Sequence, residues 1–177
     1  MQFVLLVNSI IFSAAMLEAT MSILASLDLG STDAGSTMKM KKGSGILVVV
    51  LDENDEVISS IGEMVASEGV ESGIILSFVG ALKSCHLILR KGVERSIETH
   101  LEAVGNGNIS LYQGRPFVHL HISAGNDQGA WVGHLTEGIV DVFCEVAVLP
   151  LGLNMVRSYS QSLADSGVTV PYRLDFG

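Results

Sequence analysis

Past residue 80 the chain is cut into short apolar segments by Gly, Asn and Asp, and such a chain has few ways to fold other than as a meandering sheet. The segments are Cys85–Leu89, Glu98–Val104, Asn108–Tyr112, Phe117–Ser123, Ala130–Leu135 and Gly138–Leu149. Short strands joined by brief turns pair antiparallel. Only one stretch has helical period. Val57, Ile58, Ile61, Met64 and Val65 fall on one side, and Glu56, Ser59, Ser60, Glu63 and Ser67 on the other. The polar turn Asp52–Asp55 offers cap residues before it, and Gly69 supplies a stop after it. The run Gly45–Leu51 precedes this helix and is continuously apolar and β-branched, which predicts a strand buried on both faces. Another strand is predicted over Gly73–Val79. One amphipathic helix on a mainly antiparallel sheet is an α+β class.

Length and charge set the boundaries. The chain has 177 residues, 48% of them hydrophobic, with 3 prolines, which suits one packed domain and excludes a disordered tail. Residues 1–37 hold Glu18, Asp28 and Asp33 but no Lys or Arg, and they end in a small, polar linker, Gly30–Thr37. Lys39, Lys41 and Lys42 follow at once. The expected organisation is therefore an extension over 1–37, a domain over 38–150 and a tail over 151–177 packed on that domain. For the apolar start, Phe3–Val7 and Ile10–Phe12, three readings stand: a secretory signal, though without a positive n-region; a membrane anchor, though broken by Asn8, Ser9 and Glu18; or a bland one, an accessory helix or else upstream sequence read through before a true start at Met38 or Met40. Two cysteines exclude a disulfide scaffold and suggest reduced thiols in a cytoplasmic protein, Cys85 and Cys144 acting as small buried hydrophobes. The net charge of -9 argues against direct binding to nucleic acid, and since the extension contributes no base, the acidity belongs to the domain.

Three of the 5 histidines lie close together: His119 and His121 in Pro116–Ser123, and His134 in Trp131–Leu135. On a strand, alternate side chains share a face, so His119 and His121 point one way and Val118, Leu120 and Ile122 the other. Their Cα atoms would lie roughly 6.5–7 Å apart, close enough for two imidazoles to meet at one ion. The loop Gly125–Gly129 is rich in turn formers, and folding back near Asp127 brings His134 opposite the pair. Three imidazoles on one hairpin face suit zinc or a similar divalent ion; a polar strand face or a packing cluster would carry the same pattern. Glu145, in an otherwise apolar strand, is a candidate fourth ligand, and it or Glu137 a candidate acid or base. His86 and His100 lack such neighbours and read as non-ligands. Gln113–Pro116 contains the G-R-P of an AT-hook without flanking bases and reads as a turn. Gly105-Asn106-Gly107-Asn108 is a weak phosphate signal without a following P-loop Lys.

Taken in order, these elements resemble the PPC (plants and prokaryotes conserved) domain, DUF296, in its prokaryotic single-domain form. The resemblance is carried by Ile46–Leu51, Gly73–Leu76, Val79-Gly80-Ala81-Leu82, Gly107–Ser110, Pro116-Phe117-Val118-His119-Leu120-His121 and Gly133–Gly138. It covers about Met38 to Leu149. Val132 departs from it, since the family usually has G-G-H at the second histidine element. The resemblance implies a homotrimer with a metal, zinc, held at His119, His121 and His134, and a fold similar to a domain of acetolactate decarboxylase. Two functions follow as expectations: a metal-binding trimeric module of regulatory or DNA-associated role, or a metal-dependent lyase or hydrolase on a small anionic ligand. The nuclear, AT-hook role of plant members is not expected of this chain.

Overall fold

The computed structural model describes residues 39–161, 165 and 173–177. The extension 1–37, with its signal, anchor and start-site readings, lies outside the described residues, as does part of the tail. In chain order the elements are β1 (Lys39–Gly43), β2 (Ile46–Asp52), α1 (Val57–Ser67), β3 (Gly73–Arg90), β4 (Val93–Ile97), β5 (Leu101–Tyr112), β6 (Arg115–Asn126), β7 (Gly129–Pro150), β8 (Met155–Ser158) and β9 (Arg173–Phe176). All form one sheet except α1, and every described pairing between strands is antiparallel except β5 with β8. The α+β expectation therefore holds. Among the described residues no helix is long and apolar enough to cross a membrane.

The helix forms where the period placed it. Glu56 caps it, its Oε2 accepting from the Ser59 backbone N–H at 2.7 Å, so the cap lies just after the predicted Asp52–Asp55 turn. The Gly69 and Val70 N–H groups bond back to the Ala66 and Val65 carbonyls and close the last turn. Val57, Ile61, Met64 and Val65 are buried, each burial stabilising by about 1.5–3 kcal/mol. They pack with Leu47, Leu120, Leu135 and Val140 in a single core.

Two strands are much longer than the sequence suggested. β3 joins Gly73–Val79 to Cys85–Leu89 in one 18-residue strand, and β7 joins Ala130–Leu135 to Gly138–Leu149 in one of 22. Register shifts interrupt their mutual pairing at several points, including Gly80/Leu82 and His86/Leu87. Bulges of this kind bend a strand without ending it. Each long strand thus pairs with several partners, and the pairings β3–β5–β6–β7–β3 close into a ring.

The core lies on one face of this ring, and the outer face is partly apolar. β2 corrects the expectation of a strand buried on both sides: Leu47, Val49 and Leu51 are buried, while Val48 is 45% exposed. Register places Val50, Glu145, Val79, Val104, Ser123 and Val132 in one lateral row across the outer face. Val79, Val104 and Val132 are all exposed, Val132 by 63%.

Candidate metal centre

The β6–β7 hairpin positions the three histidines. Only Asp127 and Gln128 separate the strands, and the Asn126 side chain accepts from the Gln128 backbone N–H at 2.9 Å. That loop fixes the register, and it sets His121 directly opposite His134. His119 lies two residues along β6, on the same outer face. Between them Val118, Leu120 and Ile122 point into the core, so the packing that holds the strand also aims the imidazoles. The ring centroids are 5.0 Å apart for His119 and His121, 4.9 Å for His119 and His134, and 5.4 Å for His121 and His134. One ring nitrogen from each lies within 4.8 Å of the others. His134 is buried, His119 half-buried and His121 exposed.

The electrostatics favour neutral rings. Burial, helped by the Arg157 charge and the other two rings, pushes the pKa of His119 down to about 3. Burial, then His121 and Arg157, takes His134 to about 4, and burial also lowers His121. A neutral imidazole is the ligating form, and no carboxylate belongs to the group among the described residues. The donor set therefore fits a divalent ion of zinc type, with three nitrogens and room for one further ligand.

Glu145 does not join them. It lies eleven residues beyond His134 on β7, paired with Val50 and Val79, and is exposed. Register shifts in the pairing of β3 with β7 fall between Val140 and Cys144, and Val142 there is 59% exposed. Glu137 is exposed opposite His86. His86 and His100 are also outside the group. His86 contacts Ser96 and Glu94, and His100 contacts Asp141 at 2.5 Å. Burial raises the Cys85 thiol to about 11 and that of Cys144 to about 12, so both stay protonated, as expected of small buried hydrophobes.

β5 supplies polar groups that the sequence reading had assigned otherwise. Gly105–Asn108 is a strand rather than a phosphate loop. Its Asn106 and Asn108 stand opposite His121 and His119, on the histidine face. The alternate Gly107 lets the strands approach closely, since a Cβ there would fall 1.9 Å from the His119 carbonyl oxygen. Along these residues, beside Leu76, runs a groove of about 430 Å³ that reaches His119 and His121.

Arg157 is the residue the sequence reading missed. It comes from β8, in the tail, and is only 7% exposed. Its Nε donates to Ser110 Oγ at 3.2 Å, and its Nη2 to Asn108 Oδ1 at 2.9 Å and His119 Nδ1 at 3.0 Å. The guanidinium also stands over the Phe117 ring, 5.5 Å from its centroid. An arginine alternating with apolar residues in Met155–Arg157 was the available signal.

Fold and site together define a class: a one-helix antiparallel-sheet domain with a three-histidine group on the outer face of its sheet. Residues 38–152 match the sequence model of the Plants and Prokaryotes Conserved (PCC) domain, and the chain belongs to that family. Solved structures share the fold. One is a plant- and prokaryote-conserved protein from Pyrococcus horikoshii, 25% identical, with a TM-score of 0.60 over 81% of this chain and 99% of the other. Another is a metal-containing protein from Archaeoglobus fulgidus, 24% identical, with a TM-score of 0.63 over 80% and 100%. A third, from Bacteroides thetaiotaomicron, carries a name that makes it a candidate DNA-binding protein; it is 24% identical, with a TM-score of 0.67 over 78% and 97%. A search of curated protein sequences finds no match.

Proposed function

We propose that residues 38–150, with the tail packed on them, form a metal-binding module in which His119, His121 and His134 hold one zinc-type ion. The observation that carries this reading is three neutral imidazoles with one nitrogen each inside 4.8 Å. The Archaeoglobus relative, named as metal-containing, supports it. The module acts as a homotrimer in a regulatory role. The row Val79, Val104 and Val132 supports assembly, because exposed apolar patches of this kind mark interfaces. The charge of -9 opposes direct contact with phosphates, so any association with DNA runs through a basic partner. Metal analysis of the purified chain, with native mass spectrometry for the oligomer, tests the reading. A protein with no stoichiometric metal and no zinc uptake overturns it.

A second reading, a metal-dependent lyase or hydrolase acting on a small anionic substrate, is favoured by the groove beside His119 and His121. Bound metal would there act as a Lewis acid or activate water. Turnover of small carboxylates and esters by zinc-loaded protein, lost in His121→Ala, is its test.

A further inference from the structure

We infer that Arg157 is a built-in competitor of the metal: by donating to His119 Nδ1 it takes up the one free lone pair of that imidazole and keeps zinc affinity low, making the centre exchangeable. This rests on the metal reading above and adds to it a residue beyond the segment 38–152 that matches the family.

The argument starts from what each group can do. A guanidinium has donors only and keeps its charge, so in the 3.0 Å contact between Arg157 Nη2 and His119 Nδ1 the histidine must accept. A neutral imidazole has one lone pair and one N–H. With the Nδ1 lone pair engaged by Arg157, the proton sits on Nε2, and neither nitrogen has a lone pair left for an ion. His119 becomes a ligand only when this hydrogen bond is given up.

Outer-shell partners of metal-binding histidines usually do the opposite. A carboxylate or carbonyl accepts from the far nitrogen, fixes the ligating tautomer and raises basicity. Here the partner donates, and it is cationic. That charge, held within hydrogen-bond distance of His119, also opposes a dication at the site. Nor is Arg157 loosely placed. Ser110, Asn108 and the Phe117 ring fix it from three sides, and β8 is tied by Leu111 and Val156 to the strand carrying Asn108. The Met155 backbone N–H further anchors that strand by donating to Ser72 Oγ at 3.0 Å.

The test measures zinc affinity by competition with a chromophoric chelator on the full chain, for wild type, Arg157→Met and Arg157→Lys. Arg157→Met is expected to bind zinc at least about tenfold tighter, the low end of outer-shell effects but with reversed sign. Arg157→Lys, which keeps a charged donor, stays nearer wild type. Unchanged or weaker binding by a folded Arg157→Met overturns the inference and leaves the metal reading standing. Failure of every protein to take up zinc overturns both. A measurement on wild type alone covers the case in which Arg157→Met does not fold: nitrogen NMR of the zinc-free protein is expected to show His119 protonated at Nε2, and an Nδ1–H tautomer overturns the inference.

Discussion

The described histidines divide into two sets that differ in what surrounds them. His86 and His100 lie at the surface beside carboxylates: Glu94 for the first, Asp141 and Glu102 for the second. The carboxylate hydrogen bond, Asp141 first, raises the His100 pKa. His119, His121 and His134 have one another and Arg157 instead, and burial holds all three pKa values down. The same side chain is thus a carboxylate's partner in one place and a neutral, clustered imidazole in the other. The difference comes from position and burial: His86 on β3 and His100 just before β5 face carboxylates at the surface, while β6 and β7 turn the other three toward one another.

The largest expected effect separates the sets outright. His119→Ala or His134→Ala should weaken zinc binding at least ~100-fold, beyond what loss of an outer-shell partner costs. His86→Ala and His100→Ala should leave it unchanged, and calorimetric titration of all four decides. An effect of His100→Ala as large as that of His119→Ala would erase the distinction.

Next in size is stabilisation by the ion. A ligand bound only to the folded state at a hundredfold excess over its Kd adds about 2.7 kcal/mol. Thermal melts should show an upward shift with zinc in wild type and in His86→Ala, and none in His121→Ala.

The pH dependence of the zinc-free protein should have opposite sign for His100 and for the pair His119 and His134. The folded pKa is about 3 for His119 and about 4 for His134, both below the ordinary 6.5. Between those values the unfolded chain binds more protons. The stabilisation is therefore complete above about pH 6.5 and is lost as pH falls toward 4 and then 3. For His100, with its raised pKa, stabilisation is present below about pH 6.5 and lost as pH rises through the folded value. Denaturant midpoints across this range, for wild type against His134→Gln and His100→Gln, should resolve the two slopes.

The smallest effect belongs to the exposed set alone. Asp141→Asn should change stability only slightly, since exposed ion pairs are screened by water and salt. Chemical denaturation at low and high salt would show it.

The hairpin was legible because its signal is local. Turn formers at Gly125–Gly129 and strict alternation over Val118–Ser123 determine the pairing of His121 with His134 without reference to the rest of the fold. The helix was legible for the same reason, from five apolar residues at one period. Illegible features depend on distant partners. Gly80 and Gly138 looked like strand ends, but β3 and β7 run through them, because bulges let a strand bend without a turn. Glu145 looked like a ligand because its strand is otherwise apolar, but an apolar strand does not say that its other face is covered. Val48 looked buried because a β-branched run does not say how many faces of its sheet are covered. Arg157 stands at one strand position in a tail, and its role appears only once β8 lies beside β5.

The two-residue loop at Asp127 and Gln128 has a consequence beyond turn geometry. It acts as a ruler for the ligand set. Side chains alternate along the part of β7 paired with β6, so lengthening the loop by a single residue while the strands keep pairing would set Gly133 opposite His121 and send His134 inward. Insertions that surface loops elsewhere absorb as neutral variation would here exchange a ligand for a core residue. The spacing between His121 and His134 is therefore under a parity constraint: changes by two are survivable in principle, and changes by one are not.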